Sequence, residues 1–266
     1  MKLFKKILII LFWVVLAGSM ITLMDFINNK NGELKVDSIE VTIQRATDVI
    51  LITEEDVMNL IGNENNRLVG QPFGEIRLED LENRLKHNGY IADANIHSRI
   101  PGDLYIDIVQ RTPLIRVING EYEQFYLSTD GHTMALHPSV VRPSLLATGL
   151  FPDSLDPAIS LRTLRTLPED EAGQASALEI IYNLALHIRG DEFLNAQIEQ
   201  IFINGKNEAE MIPKVGDHLI LFGNLEHMEG KFHKLIAFYR EGVRFSGWDA
   251  YDTVNLKYKN QIVCTK

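Results

Sequence analysis

The feature that most limits what this chain can become lies near its start. From Ile7 to Met24 no residue carries a charge, and most are Ile, Leu, Val, Phe or Trp. As a helix this run would be roughly 27 Å long at ~1.5 Å per residue, close to the ~30 Å hydrocarbon thickness of a bilayer. Lys2, Lys5 and Lys6 precede it, Asp25 closes it, and Lys30, Glu33 and Lys35 come after it with mixed sign. The positive charge before the run predicts a cytoplasmic tail at 1–6, a single transmembrane helix at 7–27 and export of the remainder of the chain. A cleaved signal peptide is the competing reading. Its apolar part usually spans ~7–15 residues and ends at a small-x-small site. Here Ala17-Gly18-Ser19 lies inside the run, so an uncleaved anchor is preferred.

Roughly 240 residues lie beyond the span, enough for one or two domains. Apolar residues make up 45% of the chain, too many for a disordered segment. The net charge is −10, with Lys and Arg dispersed. No basic stripe is left to neutralise phosphates, which argues against nucleic acid as a partner. Cys264 is the sole cysteine, so no intrachain disulfide supports the exported part and its cores must do so.

A polar tether at 28–35 leads into an alternating strand with Ile39, Val41 and Ile43 on one parity. Thr53-Glu54-Glu55-Asp56 is a capping-box pattern, and Val57, Leu60 and Ile61 supply a buried helical face ended by Gly62. Leu78, Leu81 and Leu85 mark a second helix, stopped at His87-Asn88-Gly89. Two strands come next, Ile91 to Arg99 and Leu104 to Gln110, joined by Pro101-Gly102 as the centre of a type II turn. Leu104, Ile106 and Ile108 share one parity of the second. The order is β-α-α-β-β, a small three-stranded sheet with both helices on one face, ending at 111.

Past Arg111-Thr112-Pro113 the pattern becomes mostly β over 112–266. Leu114 to Ile118 is one strand, and Gln124 to Ser128 with Thr133 to Leu136 form a hairpin about Thr129-Asp130-Gly131. Residues 138–174, with Pro138, Pro143, Pro152, Pro157 and Pro168 and the acidic run Glu169-Asp170-Glu171, read as a long connection with short ordered pieces. Leu178, Ile181, Leu184, Ala185 and Ile188 then line one face of a helix. Ile198 to Ile203, Ala209 to Ile212 and His218 to Phe222 are strands. The last helix is expected from Asn224 to Glu241, with Gly242 as its stop. The fold class is α+β throughout.

The end of the chain carries a second strong pattern. Val254, Leu256, Tyr258, Ile262 and Cys264 fall on one parity, and Asn255, Lys257, Lys259 and Gln261 on the other, which predicts a half-buried terminal strand. A strand in that place closes a sheet or forms its edge, and an edge offers unpaired N–H and C=O groups. Tyr258 is either a core tyrosine or a partner contact. Lys257 and Lys259 are either edge lysines that deter aggregation or contacts for acidic residues. Trp248 and Tyr251 read more simply as packing at the helix–strand junction than as binding residues.

No constellation of reactive side chains stands out. G-x-S-x-G, H-E-x-x-H and the phosphate-binding glycine loop are absent from the sequence. His227 and His233 sit six apart, about 240° around a helix, and cannot face one metal. Cys264 shares the apolar parity, which favours a small buried side chain over a nucleophile. Neither a cofactor, a metal nor a small-molecule substrate is expected, and the chain does not read as an enzyme.

A β-α-α-β-β module directly after one anchor and ending in Val109-Gln110-Arg111-Thr112-Pro113 resembles the POTRA domain of the bacterial cell-division FtsQ/DivIB family. The resemblance continues through Leu127-Ser128-Thr129-Asp130-Gly131, through Gly216 and His218-Leu219-Ile220-Leu221-Phe222-Gly223, and through Val254 to Val263. It is the ordered combination that is specific. It implies a bitopic inner-membrane protein of the divisome, at the septum, that catalyses nothing. It also implies binding to FtsB and FtsL and a part in regulating septal peptidoglycan synthesis. The partner-binding segment carried over is Val254, Asn255, Leu256, Lys257, Tyr258, Lys259, Asn260, Gln261 and Ile262, with Trp248 and Tyr251 as further contacts. The 138–174 segment departs from the family pattern by its length. The alternatives are a POTRA-bearing envelope assembly or polypeptide-transport component and, further off, an envelope hydrolase.

Overall fold

The computed structural model describes residues 11–22, 34–62, 68–99, 102–120, 123–138, 145–149 and 169–266, the side chains of 169–176 excepted. Residues 11–22 form a helix (α1) whose side chains are all exposed. No helix among the described residues is long and apolar enough to cross a membrane. The ends of the expected 7–27 span, and residues 28–33 of the tether, lie outside the described residues.

Two compact units make up the chain, residues 1–44 with 52–109, and residues 45–51 with 110–266. In the first, β1 (Ser38–Gln44), α2 (Glu54–Ile61), α3 (Leu78–Lys86), β2 (Ile91–Arg99) and β3 (Asp103–Gln110) occur in that order. The sheet runs β1-β3-β2, with β1 parallel to β3 from Ser38↔Asp103 to Gln44↔Val109. A capping box starts α2 as its sequence requires. The Thr53 hydroxyl accepts from the Asp56 N–H at 3.2 Å, and the Asp56 carboxylate accepts from the Thr53 N–H at 2.9 Å. Val57 and Ile61 of α2 and Leu81 and Leu85 of α3 join Leu104, Ile106 and Ile108 in one core. The β3 alternation shows in the burial: Leu104, Ile106 and Ile108 on one parity have no exposed surface, while Val109 on the other is exposed. Pro101 of the expected turn lies outside the described residues. Gly102 has a separate reason to be glycine, because a Cβ there would stand 2.7 Å from Asp37 Oδ2 and 2.9 Å from the Lys35 carbonyl.

In the second unit the strands are β4 (Pro113–Ile118), β5 (Gln124–Ser128), β6 (Thr133–Met134), β7 (Leu146–Gly149), β8 (Ile198–Ile203), β9 (Ala209–Pro213), β10 (Leu219–Gly223), β11 (Thr253–Asn255) and β12 (Val263–Thr265). Among the described residues they form one sheet in the order β12-β11-β10-β9-β8-β7-β4-β5-β6. Helix α4 (Glu169–Gly190) lays Leu178, Ile181, Leu184, Ala185 and Ile188 into its core, the face its periodicity marks. Helices α5 (Glu192–Gln197) and α6 (Met228–Ala237) complete the layer, with Phe232 and Leu235 of α6 fully buried.

The fold differs from the sequence-based expectation at four places. Glu169-Asp170-Glu171 open α4 instead of belonging to a connection, as acidic residues at a helix start can do at no cost. Strand β7, LATG, has no counterpart in the expected elements; it lies parallel to both β4 and β8, and four residues, of which Ala147 alone is buried, are too few to show an alternation. Residues 139–144 and 150–168, with Pro143, Pro152, Pro157 and Pro168, lie outside the described residues. The last helix does not stop at Gly242. It begins at Met228, passes through a π turn at Phe238–Gly242 and continues as α7 (Val243–Ser246). Gly242 keeps a right-handed φ of −65°, and Gly247, at φ +86°, is the stop. Finally, the expected unbroken terminal strand is two short strands with a turn between them.

Candidate functional site

The C-terminal hairpin is built from the inside outward. Strand β11 lies between β10, to which it is parallel, and β12, to which it is antiparallel with Val254 opposite Cys264. Both sides of β11 are therefore occupied, and β12 is the edge. The Thr265 carbonyl accepts the Asp252 N–H at 2.8 Å on the inner side. Backbone groups alternate direction along a strand, so the N–H and C=O of Cys264 face outward. Burial pushes the Cys264 thiol pKa up, in keeping with a side chain that packs on the core.

Between the two strands, residues 256–262 leave the sheet. Leu256 is buried, and its N–H donates to the Leu221 carbonyl at 3.0 Å. The Lys257 N–H donates to Asn255 Oδ1 at 3.0 Å, an Asx turn that ends the strand. Asn260 adopts φ +61°, a left-handed conformation that Asn tolerates. Ile262 returns to the core. Lys234 of α6 donates from Nζ to the carbonyls of Leu256 (2.9 Å), Tyr258 (2.6 Å) and Gln261 (3.3 Å).

Beside this turn is a cleft of about 290 Å³ lined by His227, Lys231, Lys234, Lys257, Tyr258 and Lys259, among others. Lys231 is buried. Its Nζ donates to the Asn224 carbonyl at 2.7 Å and lies 5.0 Å from the Phe222 ring centroid. Burial lowers its pKa, partly opposed by Glu226, with Lys234 and Lys257 pushing the same way as burial. Burial lowers the pKa of Lys234 also. Lys257 reaches Glu208 at 3.1 Å, and the hydrogen bond holds the Glu208 carboxyl below its usual range.

The expected site residues thus separate into groups. Val254 and Leu256 are core residues. Asn255 and Lys257 hold the turn, and Lys257 is an ion-pair partner as well. Tyr258 is half exposed, at 50%: leaving the strand releases it from the core that its parity predicts. Lys259 and Asn260 are exposed, and Gln261 is held through its carbonyl. Trp248 stacks on Tyr239 at 5.7 Å yet stays exposed, and Tyr251 lies 6.3 Å from Phe238. Val263, Cys264 and Thr265, which form the edge itself, fall outside the segment that ends at Ile262. Sequence reasoning misses Lys234 as well. Its only trace in the sequence is its place three residues after Lys231, bordering an apolar helical stripe.

A second polar cluster gathers about Asp130. Ser128 Oγ donates to Asp130 Oδ1 at 2.6 Å, Arg111 Nε donates to Oδ2 at 3.0 Å, and His132 Nδ1 stands 3.1 Å from Oδ2. Ser, His and Asp are close together here, but the hydroxyl is buried and turned to the carboxylate and to the His132 backbone. No imidazole nitrogen addresses it, so the arrangement has no activated nucleophile. Among the described residues no group of three or more His, Cys, Asp or Glu could hold a metal ion.

Two family models match the chain. One, for the POTRA-like domain, covers residues 35–109. The other, described as FtsQ/DivIB, C-terminal related, covers residues 112–265. The chain belongs to the FtsQ/DivIB family. Members of that family are generally non-enzymatic scaffolds of cell division, and neither match indicates a catalytic family. No curated protein matches the chain. The sheet of the second unit falls within the C-terminal match, and among the described residues β12 and β6 are its two outermost strands.

Proposed function

We propose that this chain is a bitopic divisome scaffold. Residues 7–27 anchor it in the inner membrane with the exported units outside the cytoplasm. There the β12 edge takes up a strand of FtsB in a complex with FtsL, and so helps to assemble and regulate septal peptidoglycan synthesis. The observation that carries this reading is the outward row of backbone groups at β12, in a chain of the FtsQ/DivIB family. An edge strand with free N–H and C=O groups recruits an extended peptide by main-chain pairing, and neighbouring side chains supply selectivity. The anchor is supported by α1, where Leu11, Phe12, Trp13, Val14 and Val15 are each more than half exposed. Such a surface is unfavourable in water and suited to lipid.

The test uses the full-length chain, solubilised from membranes with tagged FtsB and FtsL. A chain ending at Ile262, which lacks β12, is expected to stay folded and to lose recovery with the partners. Undiminished recovery of that folded truncant would overturn strand addition. Topology is read separately: an impermeant maleimide applied from outside the inner membrane should label Cys264 once the protein is denatured in place. Labelling only from the cytoplasmic side would reverse the orientation.

A further inference from the structure

Three carbonyls of one turn converge on a single ammonium. Lys234 Nζ serves Leu256, Tyr258 and Gln261 at once, which uses every N–H it has. Three carbonyl dipoles aimed at one point repel one another unless a cation sits there, and drawn in from water they need donors. The turn so gathered is the one that ends β11 and begins β12. Locally, the Asx turn at Asn255 and the left-handed Asn260 mark its two ends. The apolar parity runs through Val254, Leu256, Tyr258, Ile262 and Cys264, interrupted only by Asn260, and as a pattern it suits one straight strand. The middle of the bend is held from α6, through Lys234.

We propose that Lys234 is the positioning residue of the docking edge: by holding three carbonyls it folds the chain back, so that β12 and not a prolonged β11 is the strand open to a partner. This rests on the strand-addition reading above and names the residue that sets its geometry. The buried Leu256 and the half-buried Ile262 pin the two ends of the turn. Lys234 holds its middle, including the carbonyl of Tyr258. Opening the middle lets β12 lose its register with β11, because the register of a three-residue strand is held by few contacts of its own.

The experiment compares the full-length chain in detergent with Lys234→Met and Lys234→Arg. Three quantities are read: affinity for the FtsB periplasmic segment, the rate of native maleimide modification of Cys264, and amide exchange in β8, β9 and β10. Lys234→Met should weaken binding by about tenfold or more. It should speed Cys264 modification by about tenfold, with exchange in β8 to β10 unchanged, as a local opening does. Lys234→Arg still donates to carbonyls and should stay within about threefold of wild type in both. Wild-type affinity and a wild-type Cys264 rate in Lys234→Met would overturn the proposal. If the wild-type chain itself fails to bind FtsB, strand addition fails, and the Cys264 rate still decides the role of Lys234. Should Lys234→Met not fold, exchange in the wild-type chain decides. Residues 257–265 must open as one unit, and independent opening of 257–261 and 263–265 overturns the proposal.

Discussion

Arg111 Nε lies 3.0 Å from Asp130 Oδ2. The two residues that punctuate the sequence, one in Arg-Thr-Pro and the other in Asp-Gly, are thus a single ion pair within the second unit. Burial alone would raise the Asp130 carboxyl. The Ser128 hydroxyl and the Arg111 guanidinium outweigh it, His132 adds a little, and the pKa ends below its ordinary value. A carboxyl with a lowered folded pKa contributes stability above its unfolded value of ~3.9, and that stability is lost as pH falls through the folded value. Asp130→Asn should therefore cost about 1–2 kcal/mol near pH 7. That figure allows for solvent screening, since the Asp130 side chain is 39% exposed. The gap from wild type should close as urea midpoints are measured from pH 5 down into the acid range. A constant gap would mean that the carboxylate charge is not what matters.

Gly149 meets the β8 backbone more closely than any side chain permits. A Cβ there would stand 2.4 Å from the Ile203 carbonyl oxygen, and φ is +153°. Neither partner can move without disturbing the β7–β8 ladder. Gly149→Ala should cost about 3 kcal/mol or more, lowering the thermal midpoint of the second unit by roughly 6–12 °C. Gly190→Ala is the control. Nothing lies within 4 Å of the point where its added methyl would stand, and the change should stay within about 0.5 kcal/mol.

His218 is buried, with Nε2 2.8 Å from the Tyr239 hydroxyl. Burial lowers its pKa, opposed by Asp217. The unfolded chain then binds a proton more readily than the folded one, so stability is full above an unfolded pKa of ~6.5 and falls as pH drops through the folded value. The slope from this group is at most about 1.4 kcal/mol per pH unit. His218→Gln keeps a polar atom within reach of Tyr239 and has nothing to titrate. Denaturation curves between pH 7 and pH 5 should show a flatter dependence for that variant than for wild type; parallel curves would exclude His218 as the source.

Elements whose cause is local are legible in the sequence. Thr53 and Asp56 cap α2 because they stand three apart, and Leu104, Ile106 and Ile108 are buried because strand parity allows only one face inward. The features that stay hidden depend on residues far along the chain. The parity from Val254 to Cys264 is compatible with one strand, and the turn that interrupts it is held by a lysine 22 to 27 residues upstream. The LATG strand is defined by its neighbours β4 and β8. Gly242 looks like a stop, yet burial of Val243 on the core carries the helix past it. For the site, the alternation leads to this hairpin but hides the bend that divides it into β11 and β12.

That difference separates two proline substitutions. Proline removes an N–H and is tolerated on an edge strand only where that N–H faces away from the sheet. The Cys264 N–H faces outward, since the neighbouring Thr265 carbonyl is taken by Asp252. Cys264→Pro should leave the β11–β12 pairing and the fold intact and remove the donor that an incoming strand needs. The Lys257 N–H instead serves Asn255 Oδ1 inside the turn, so Lys257→Pro loses an Asx turn and no ladder donor. Recovery of FtsB with the full-length chain should therefore fall by about tenfold or more for Cys264→Pro, remain at wild-type level for Cys264→Ala, and fall less for Lys257→Pro. The reverse order, with Lys257→Pro the more damaging and Cys264→Pro equal to Cys264→Ala, would move the docking strand from β12 back to the segment beginning at Val254.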